Sequence, residues 1–230
     1  MPLVFIDIDG TLVAGRSEIR FIRFLALCGK LGPTALARAV RFAIAQSPRY
    51  GRHVWKKNKA YLAGLGTARV QELARAFVRR EIEPLLRRQL SRRIEEHRAA
   101  GDRVVLLSGT PDFIASPLAE LVGAQACIAS RCAERDGRFT ADGPLVHPFA
   151  AEKLRLAQEE AKRHGSSLSE CTAYGDSIHD RDLLEAVGRP VAVYPDRELA
   201  RWAEARGCEV LKDASDRRRW RRLAGARQSA

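Results

Sequence analysis

Between Ile19 and Gln71 the chain contains no aspartate or glutamate, against eleven lysines and arginines. A segment so one-sided cannot neutralise itself, and it stays strongly positive whatever it faces. Also missing is any run of 18 uncharged apolar residues, and the apolar start is preceded by no basic leader. Neither a membrane-spanning helix nor a secretory signal is therefore expected. The expectation is a soluble cytoplasmic protein, with peripheral attachment to the inner face of the membrane as the variant that the basic segment allows. Cysteine is sparse: Cys28, Cys127, Cys132, Cys171 and Cys208 are an odd set with no C-x-x-C pair. That argues against a disulfide framework or a zinc site and for reduced, mostly buried thiols. No internal repeat is visible, and bias is confined to the final SDRRRWRRLAGARQSA.

What is present is enough for a full core: 230 residues, 46% of them apolar. The net charge of +12 is carried by 33 arginines against 7 lysines, a skew that codon bias produces without any partner. LVFIDI at residues 3–8 has the length and composition of a buried strand and runs into a glycine turn. Residues 17–100 change character. SEIRFIRFLALCGK, PTALARAVRFAIAQ, HVWKKNKAYLAG, TARVQELARAFVRREI and PLLRRQLSRRIEEHRAAG all carry helical periodicity. After them RVVLLS reads as a strand, followed by a helix with Thr110 as N-cap and Pro111 at N1. The remainder alternates: strand CIAS, a hairpin around RDGRF, helix 149–164, strand CTAYG, helix 178–187, strand PVAVYP, helix 196–206, strand CEVL and a basic last helix. This order predicts an α/β fold, a Rossmann-like parallel sheet core with an all-helical cap inserted after the first strand. The core would comprise residues 1–16 and 101–230, and the cap 17–100.

In open α/β sheets ligands bind beyond the carboxyl ends of the strands, so the residues at those tips are the ones to question. Asp7 and Asp9 end the first strand. Two close carboxylates repel unless a cation lies between them, and they suit Mg2+ together with a nucleophile and general-acid pair. The same spacing also serves a plain polar turn capped by Asp9 and Thr11, and spacing alone does not separate the two. SGTPDF places Ser108 and Gly109 at a helix start that favours an anion, though ordinary capping uses the same residues. In AYGDSIHD, Asp176 is a second candidate metal carboxylate, while Ser177 and Asp180 also match a capping box. Lys153 opens a helix, where the dipole disfavours a cation unless a partner holds it. His147 and His179 are further titratable groups near these segments.

Taken in order, D-x-D-x-T at Asp7–Thr11, an apolar strand ending in Ser108, Lys153, and G-D-x-x-x-D at Gly175–Asp180 resemble the haloacid dehalogenase superfamily. The helical insertion resembles the cap of its phosphoserine-phosphatase-like branch. The resemblance implies a phosphatase in which Asp7 attacks phosphorus to form an aspartyl-phosphate and Asp9 acts as general acid and base. It implies Mg2+ held by the side chains of Asp7 and Asp176 and the backbone carbonyl of Asp9. Ser108, the Gly109 amide and Lys153 would bind the phosphoryl oxygens, and Asp180 would orient metal-bound water. Residues 13–18 would form the hinge and flap.

Substrate class turns on Arg16. Phosphoserine phosphatases of the branch carry a glutamate nine positions after the nucleophile to meet the substrate ammonium. A guanidinium there repels an ammonium and welcomes an anion, so a small anionic phosphomonoester is expected. A one-residue slip would instead bring Ser17 or Glu18 to the site. The arginine-studded apolar faces of FIRFLALCGK and PTALARAVRFAIA keep a lipid phosphate substrate of the phosphatidylglycerophosphate or lysophosphatidate type open, with an anionic membrane surface as partner. Mutual packing of these two helices is the plainer account. The terminal RRRWRR would alternatively make a nucleic-acid or membrane contact through arginine and Trp220, with nucleic acid the weaker expectation. Oligomeric state is not legible.

Overall fold

The computed structural model describes residues 1–51 and 54–212. The basic segment with Trp220 lies outside the described residues. Six parallel strands form the main sheet: β1 (Leu3–Ile6), β2 (Arg103–Pro111), β3 (Ala126–Ser130), β6 (Thr172–Gly175), β7 (Arg189–Val193) and β8 (Glu209–Leu211). Their spatial order is β3-β2-β1-β6-β7-β8. A separate hairpin pairs β4 (Glu134–Arg135) with β5 (Arg138–Phe139). Its turn residues Asp136 and Gly137 both have positive φ, 50° and 71°, as a tight two-residue hairpin turn of this hand requires.

Period-two alternation divides each central strand between two cores. Val4 and Ile6 of β1, Val104 and Leu106 of β2, and Val191 and Val193 of β7 face one side. Leu3, Phe5, Val105, Leu107, Ala173 and Ala192 face the other. That second face is covered by α7 (Ala151–Arg163), α8 (Arg181–Ala186) and α9 (Arg197–Arg206), which contribute Ala157, Ala161, Leu183, Leu184, Leu199 and Ala203.

The first face is covered largely by the helical block that separates β1 from β2: α1 (Ser17–Leu27), α2 (Pro33–Tyr50), α3 (Val54–Lys57), α4 (Thr67–Phe77) and α5 (Arg88–Ala99). Phe21 of α1 meets Phe77 of α4 at 5.1 Å between ring centroids, and it meets Phe113 of α6 (Asp112–Val122) at 5.3 Å. Leu90 and Ile94 of α5 are buried in the same cluster as Val104 and Leu106 of β2. Apart from Ala39 of α2, which packs against its edge, helices α2 and α3 stand outside this core. They share a small cluster of Phe42, Ala43, Val54 and Ala60, with Tyr50 and Ala141 packed against it.

Several elements depart from the expected pattern for identifiable reasons. The helix expected over 53–64 is interrupted at Asn58, whose side-chain oxygen accepts from the Ala60 amide at 3.2 Å while its NH2 donates to the Ala39 carbonyl at 2.7 Å. A side chain that bonds the local backbone competes with helix continuation. After α4 the chain widens into a π turn, Val78–Ile82, just before Pro84, which lacks the amide a regular helix would use. Strand β2 continues through Pro111, so Pro111 occupies the N-cap of α6 instead of N1, and Thr110 is still strand.

No helix among the described residues is long and apolar enough to cross a membrane. Phe21, fully buried, ties the inserted helices to the sheet core. Phe21→Ala is therefore expected to cost about 3–5 kcal/mol, read as a fall in the urea midpoint at unchanged slope. A loss within about 0.5 kcal/mol, the range of a surface change, would mean that the three rings do not join the two parts.

Candidate active site

The connections from β1 and β6 leave to opposite sides of the sheet, so the crevice between these neighbours is its topological switch point. Asp7 follows β1 directly and Asp176 follows β6 directly. The Asp7 amide donates to the Tyr174 carbonyl at 3.1 Å, continuing the parallel ladder one residue past the strand and holding Asp7 at the tip. The chain then coils: Leu12 N–H returns to the Asp7 carbonyl at 3.2 Å, Val13 N–H to that of Ile8 at 2.8 Å, and Gly10 takes φ +88°. A Cβ on Gly10 would stand 2.0 Å from a carboxylate oxygen of Asp176. Glycine is what lets the loop and that carboxylate share the space. Gly175 does the same for Asp180, whose Cβ lies 2.7 Å from where a Gly175 side chain would start.

Lys153 is at the centre. Its Nζ donates to Asp7 Oδ1 at 2.7 Å and to Asp180 Oδ1 at 2.5 Å, and all three side chains are at least nine-tenths buried. Thr11 Oγ1 donates toward Asp7 Oδ2 at 3.3 Å and lies 3.4 Å from Asp176 Oδ1. Asp180 is also fixed from the other side, accepting from both the amide and hydroxyl of Ser177 at 3.3 Å. The capping box foreseen there exists, and it serves to aim Asp180 as well as to start a turn. Lys153 is carried on the first turn of α7, entered through Ala150 at φ 50°, ψ −129°, a conformation that is costly for a residue with a Cβ.

Asp9 is held differently. Its Oδ1 accepts from the Ser17 amide at 2.8 Å, at the start of α1. Burial raises its pKa to about 6, with Ser17 partly offsetting the rise. Burial also raises Asp7, opposed by Lys153. Asp176 is pushed up to about 8, first by burial and then by the charges of Asp7 and Asp180. For Lys153 burial works against the charge, yet the carboxylates of Asp180 and Asp7 hold its pKa above the usual lysine range. One ammonium thus serves a cluster with more negative than positive charge.

Carboxylate oxygens of Asp7, Asp176 and Asp180 lie within 4.8 Å of one another. A hard, all-oxygen donor set with surplus negative charge suits Mg2+, and the Gly10 cradle that keeps Asp176 close is consistent with it. Asp180, which the resemblance implies orients metal-bound water, lies within this same set.

Ser108 is buried beside Asp7 and accepts from the Thr110 amide at 3.3 Å. The Gly109 carbonyl accepts from Ser130 Oγ at 2.7 Å, and His147 Nδ1 meets the same hydroxyl at 2.6 Å. With Ser130 donating to Gly109, His147 donates from Nδ1 and carries a lone pair at Nε2, which is buried without a hydrogen-bond partner. Burial, reinforced by Lys59, Lys57, Lys56 and Lys153, drops the His147 pKa to about 3, so this ring stays neutral. Beside it Phe149 bridges to His179 at 4.6 Å between centroids, and Lys56 Nζ sits 4.0 Å over the Phe149 ring.

Arg16 is exposed at the N-cap of α1, whereas Ser17 is buried. Glu18 turns inward, accepting from Lys59 Nζ at 2.5 Å and from Tyr61 Oη at 2.9 Å. Exposed Lys56 has its pKa lowered by desolvation and then by Arg16, while Asp180 and Asp176 act in the opposite sense. It therefore feels the charge of both the exposed arginine and the carboxylates. Phe149 and Arg87, which donates to the Gly10 carbonyl at 3.2 and 3.1 Å, were not singled out from the sequence, and Lys56 stood out only, with Lys57 and Asn58, as a loose match for the branch's cap arginine. Lysine beside an aromatic at long sequence separation leaves no local pattern to find.

A parallel sheet with acids at the β1 and β6 tips, a buried lysine between them and a helical insertion after β1 defines a hydrolase of the haloacid dehalogenase class. The family model "haloacid dehalogenase-like hydrolase" matches residues 4–185, and the chain belongs to that family. It is 32% identical over 213 residues to the "Inhibition of morphological differentiation protein" of Streptomyces azureus, covering 90% of this chain and 76% of that one. It is 29% identical over 217 residues to a phosphoserine phosphatase of Mycobacterium tuberculosis, covering 90% and 69%. Among solved structures, a protein of unknown function from Bordetella pertussis Tohama I superposes with a TM-score of 0.77 at 31% identity, over 92% of this chain and 98% of that one. A phospho-aspartyl intermediate analogue of phosphoserine phosphatase superposes with a TM-score of 0.62 at 18% identity, over 91% of each, a likeness of fold.

The raised Asp176 pKa gives a prediction for the metal-free chain. An acid that holds its proton more tightly when folded loses folding stability as pH rises from about 4, its unfolded value, to about 8. Thermal unfolding in chelator should therefore show a lower Tm at pH 8 than at pH 6. Mg2+ should raise Tm more at pH 8 than at pH 6, and Asp176→Asn should flatten both trends. An equal Mg2+ increment at the two pH values would contradict this assignment of the cluster.

Proposed function

We propose that the chain is a Mg2+-dependent phosphomonoester hydrolase that works through an aspartyl-phosphate on Asp7 and prefers a small anionic phosphomonoester. The observation that carries this is the unlike treatment of two carboxylates two residues apart. Asp7 is pinned in the acidic cluster by Lys153 and Thr11, while Asp9 is held away by the Ser17 amide and keeps a pKa near neutrality, about 6. Environments that separate neighbouring acids assign them different work. The relative named phosphoserine phosphatase supports the same chemistry.

Mg2+ would be held by Asp7 and Asp176, with Asp180 in the same acidic set and the Asp9 carbonyl added as the resemblance implies, and when bound it offsets the charge of phosphate approaching carboxylate. An Asp7 oxygen forms a bond to phosphorus as the bond to the leaving oxygen breaks, and Asp9 gives that oxygen its proton. Water then attacks phosphorus, Asp9 takes up the water proton, and the Asp7–phosphorus bond breaks to release inorganic phosphate. Ser108, the Gly109 amide and Lys153 steady the transferring oxygens. Lys153, now bonded to Asp7 and Asp180, is the donor already in place for that charge. Residues 17–100 act as the cap over the core of 1–16 and 101–230, and Lys56 on Phe149 is a contact across that cleft. Closure excludes water, and the flap at 13–18 hinges where Ser17 meets Asp9.

Substrate preference follows from charge at the mouth. Lys56 and Arg16 present cations there, while the nearby Glu18 carboxylate is already engaged by Lys59 and Tyr61. An ammonium-bearing substrate meets repulsion, and a second anionic group meets attraction.

Purified protein with Mg2+ should turn over phosphomonoesters, with Asp7→Asn inactive and Asp9→Asn slower by about 10²–10⁴-fold. Wild-type turnover that survives Asp7→Asn would sink the nucleophile assignment. A panel of phosphoserine, histidinol phosphate, glycerol phosphates and lysolipid phosphates should rank anionic monoesters above amino-bearing ones. Arg16→Glu should shift that ratio by about tenfold toward phosphoserine. Wild-type selectivity for phosphoserine would overturn the substrate class while leaving the hydrolase intact.

A further inference from the structure

The plainer account of the two basic helices, that α1 and α2 bury their apolar faces against each other, does not describe α2. Only Ala35, Phe42 and Ala43 of its 18 residues are buried, and it packs on the 54–62 segment. Leu36, Val40 and Ile44, one turn apart along one stripe, are 68%, 42% and 72% exposed. With Pro33, Ala37, Arg41 and Ala45 they line a shallow groove of about 550 Å³ made by this helix alone. None of the strand-tip residues lies in it.

We propose that the outer face of α2 docks on an anionic lipid surface. This inference is independent of the hydrolase chemistry. Three observations select that occupant. Helix α2 contains no acidic residue, and its cations Arg38, Arg41 and Arg49 are all exposed, as suits a surface of opposite sign. A second copy meeting it about a two-fold axis would set the same basic patch against itself, which like charges oppose. The groove has no second wall to grip a peptide, whereas a bilayer asks only for an apolar stripe rimmed by cations. Trp55, on the short helix packed against α2, is also 62% exposed, and tryptophan favours the headgroup boundary. The helix lies on the surface and does not span it.

The test is co-sedimentation of the full chain with vesicles of phosphatidylcholine, alone or containing phosphatidylglycerol. Binding is expected only with phosphatidylglycerol and should weaken with salt. Leu36→Asp with Ile44→Asp should weaken it by about tenfold or more, and Arg41→Glu should also weaken it. Circular dichroism and the urea midpoint check folding, and should the double variant misfold, Arg41→Glu decides. The C-terminal basic segment is intact in every arm. Binding unchanged by these substitutions would place the contact elsewhere and overturn the proposal, as would no binding to phosphatidylglycerol vesicles at low salt. A dimer in light scattering that Leu36→Asp dissolves would assign the face to a second copy and overturn it as well.

Discussion

One buried ammonium organises the site. Lys153 bridges Asp7 and Asp180 from the far side of the sheet, and removing it would leave two desolvated carboxylates facing Asp176 with no neutralising cation among these contacts. The rest of the local structure can be understood as support for that arrangement. Gly10 and Gly175 leave room for Asp176 and Asp180, Ser177 turns Asp180 inward, and the strained Ala150 delivers α7 so that its first turn reaches the strand tips. Strain at Ala150 and residual negative charge are both unfavourable for folding alone. Their coincidence at one point is what supports the proposed active site there.

The fold makes this possible by ending β1 and β6 side by side, with their connections leaving in opposite directions. Neither strand-end acid is near the other in sequence, since Asp7 and Asp176 are separated by the whole helical block and by β2 through β5. Two dry cores, one on each face, hold the strands still enough for a 2.7 Å contact to matter. The ring contacts of Phe21 with Phe77 and Phe113 then fix the inserted helices to the same frame. The segment that carries Lys56 packs instead on α2, and Lys56 reaches the Phe149 ring of the core part.

Much of this was legible in the sequence because it is local. An apolar strand, a glycine turn and two acids occupy nine consecutive residues, and the capping box at Ser177–Asp180 occupies four. Alternation of strand and helix beyond residue 101 indicated a parallel sheet. What escaped is non-local. The Lys56–Phe149 stack, the pairing of Glu18 with Lys59 and the Arg87 clamp on Gly10 join residues dozens of positions apart, which no period encodes. The break at Asn58 came from a side chain outcompeting a helix bond, a choice made by the neighbouring Ala39 carbonyl. Apolar spacing in α2 correctly announced a face, but spacing does not say what covers it, and Leu36 and Ile44 are exposed.

The account stands or falls on where the phosphoryl group resides between the two half-reactions. Rapid acid quench of the Mg2+-loaded chain during turnover, followed by peptide mapping, should find phosphate on Asp7 in an acid-stable, hydroxylamine-labile bond, with none on Ser108. Phosphate on another side chain, or turnover with no phosphorylated chain at any quench time and direct transfer to water, would contradict it.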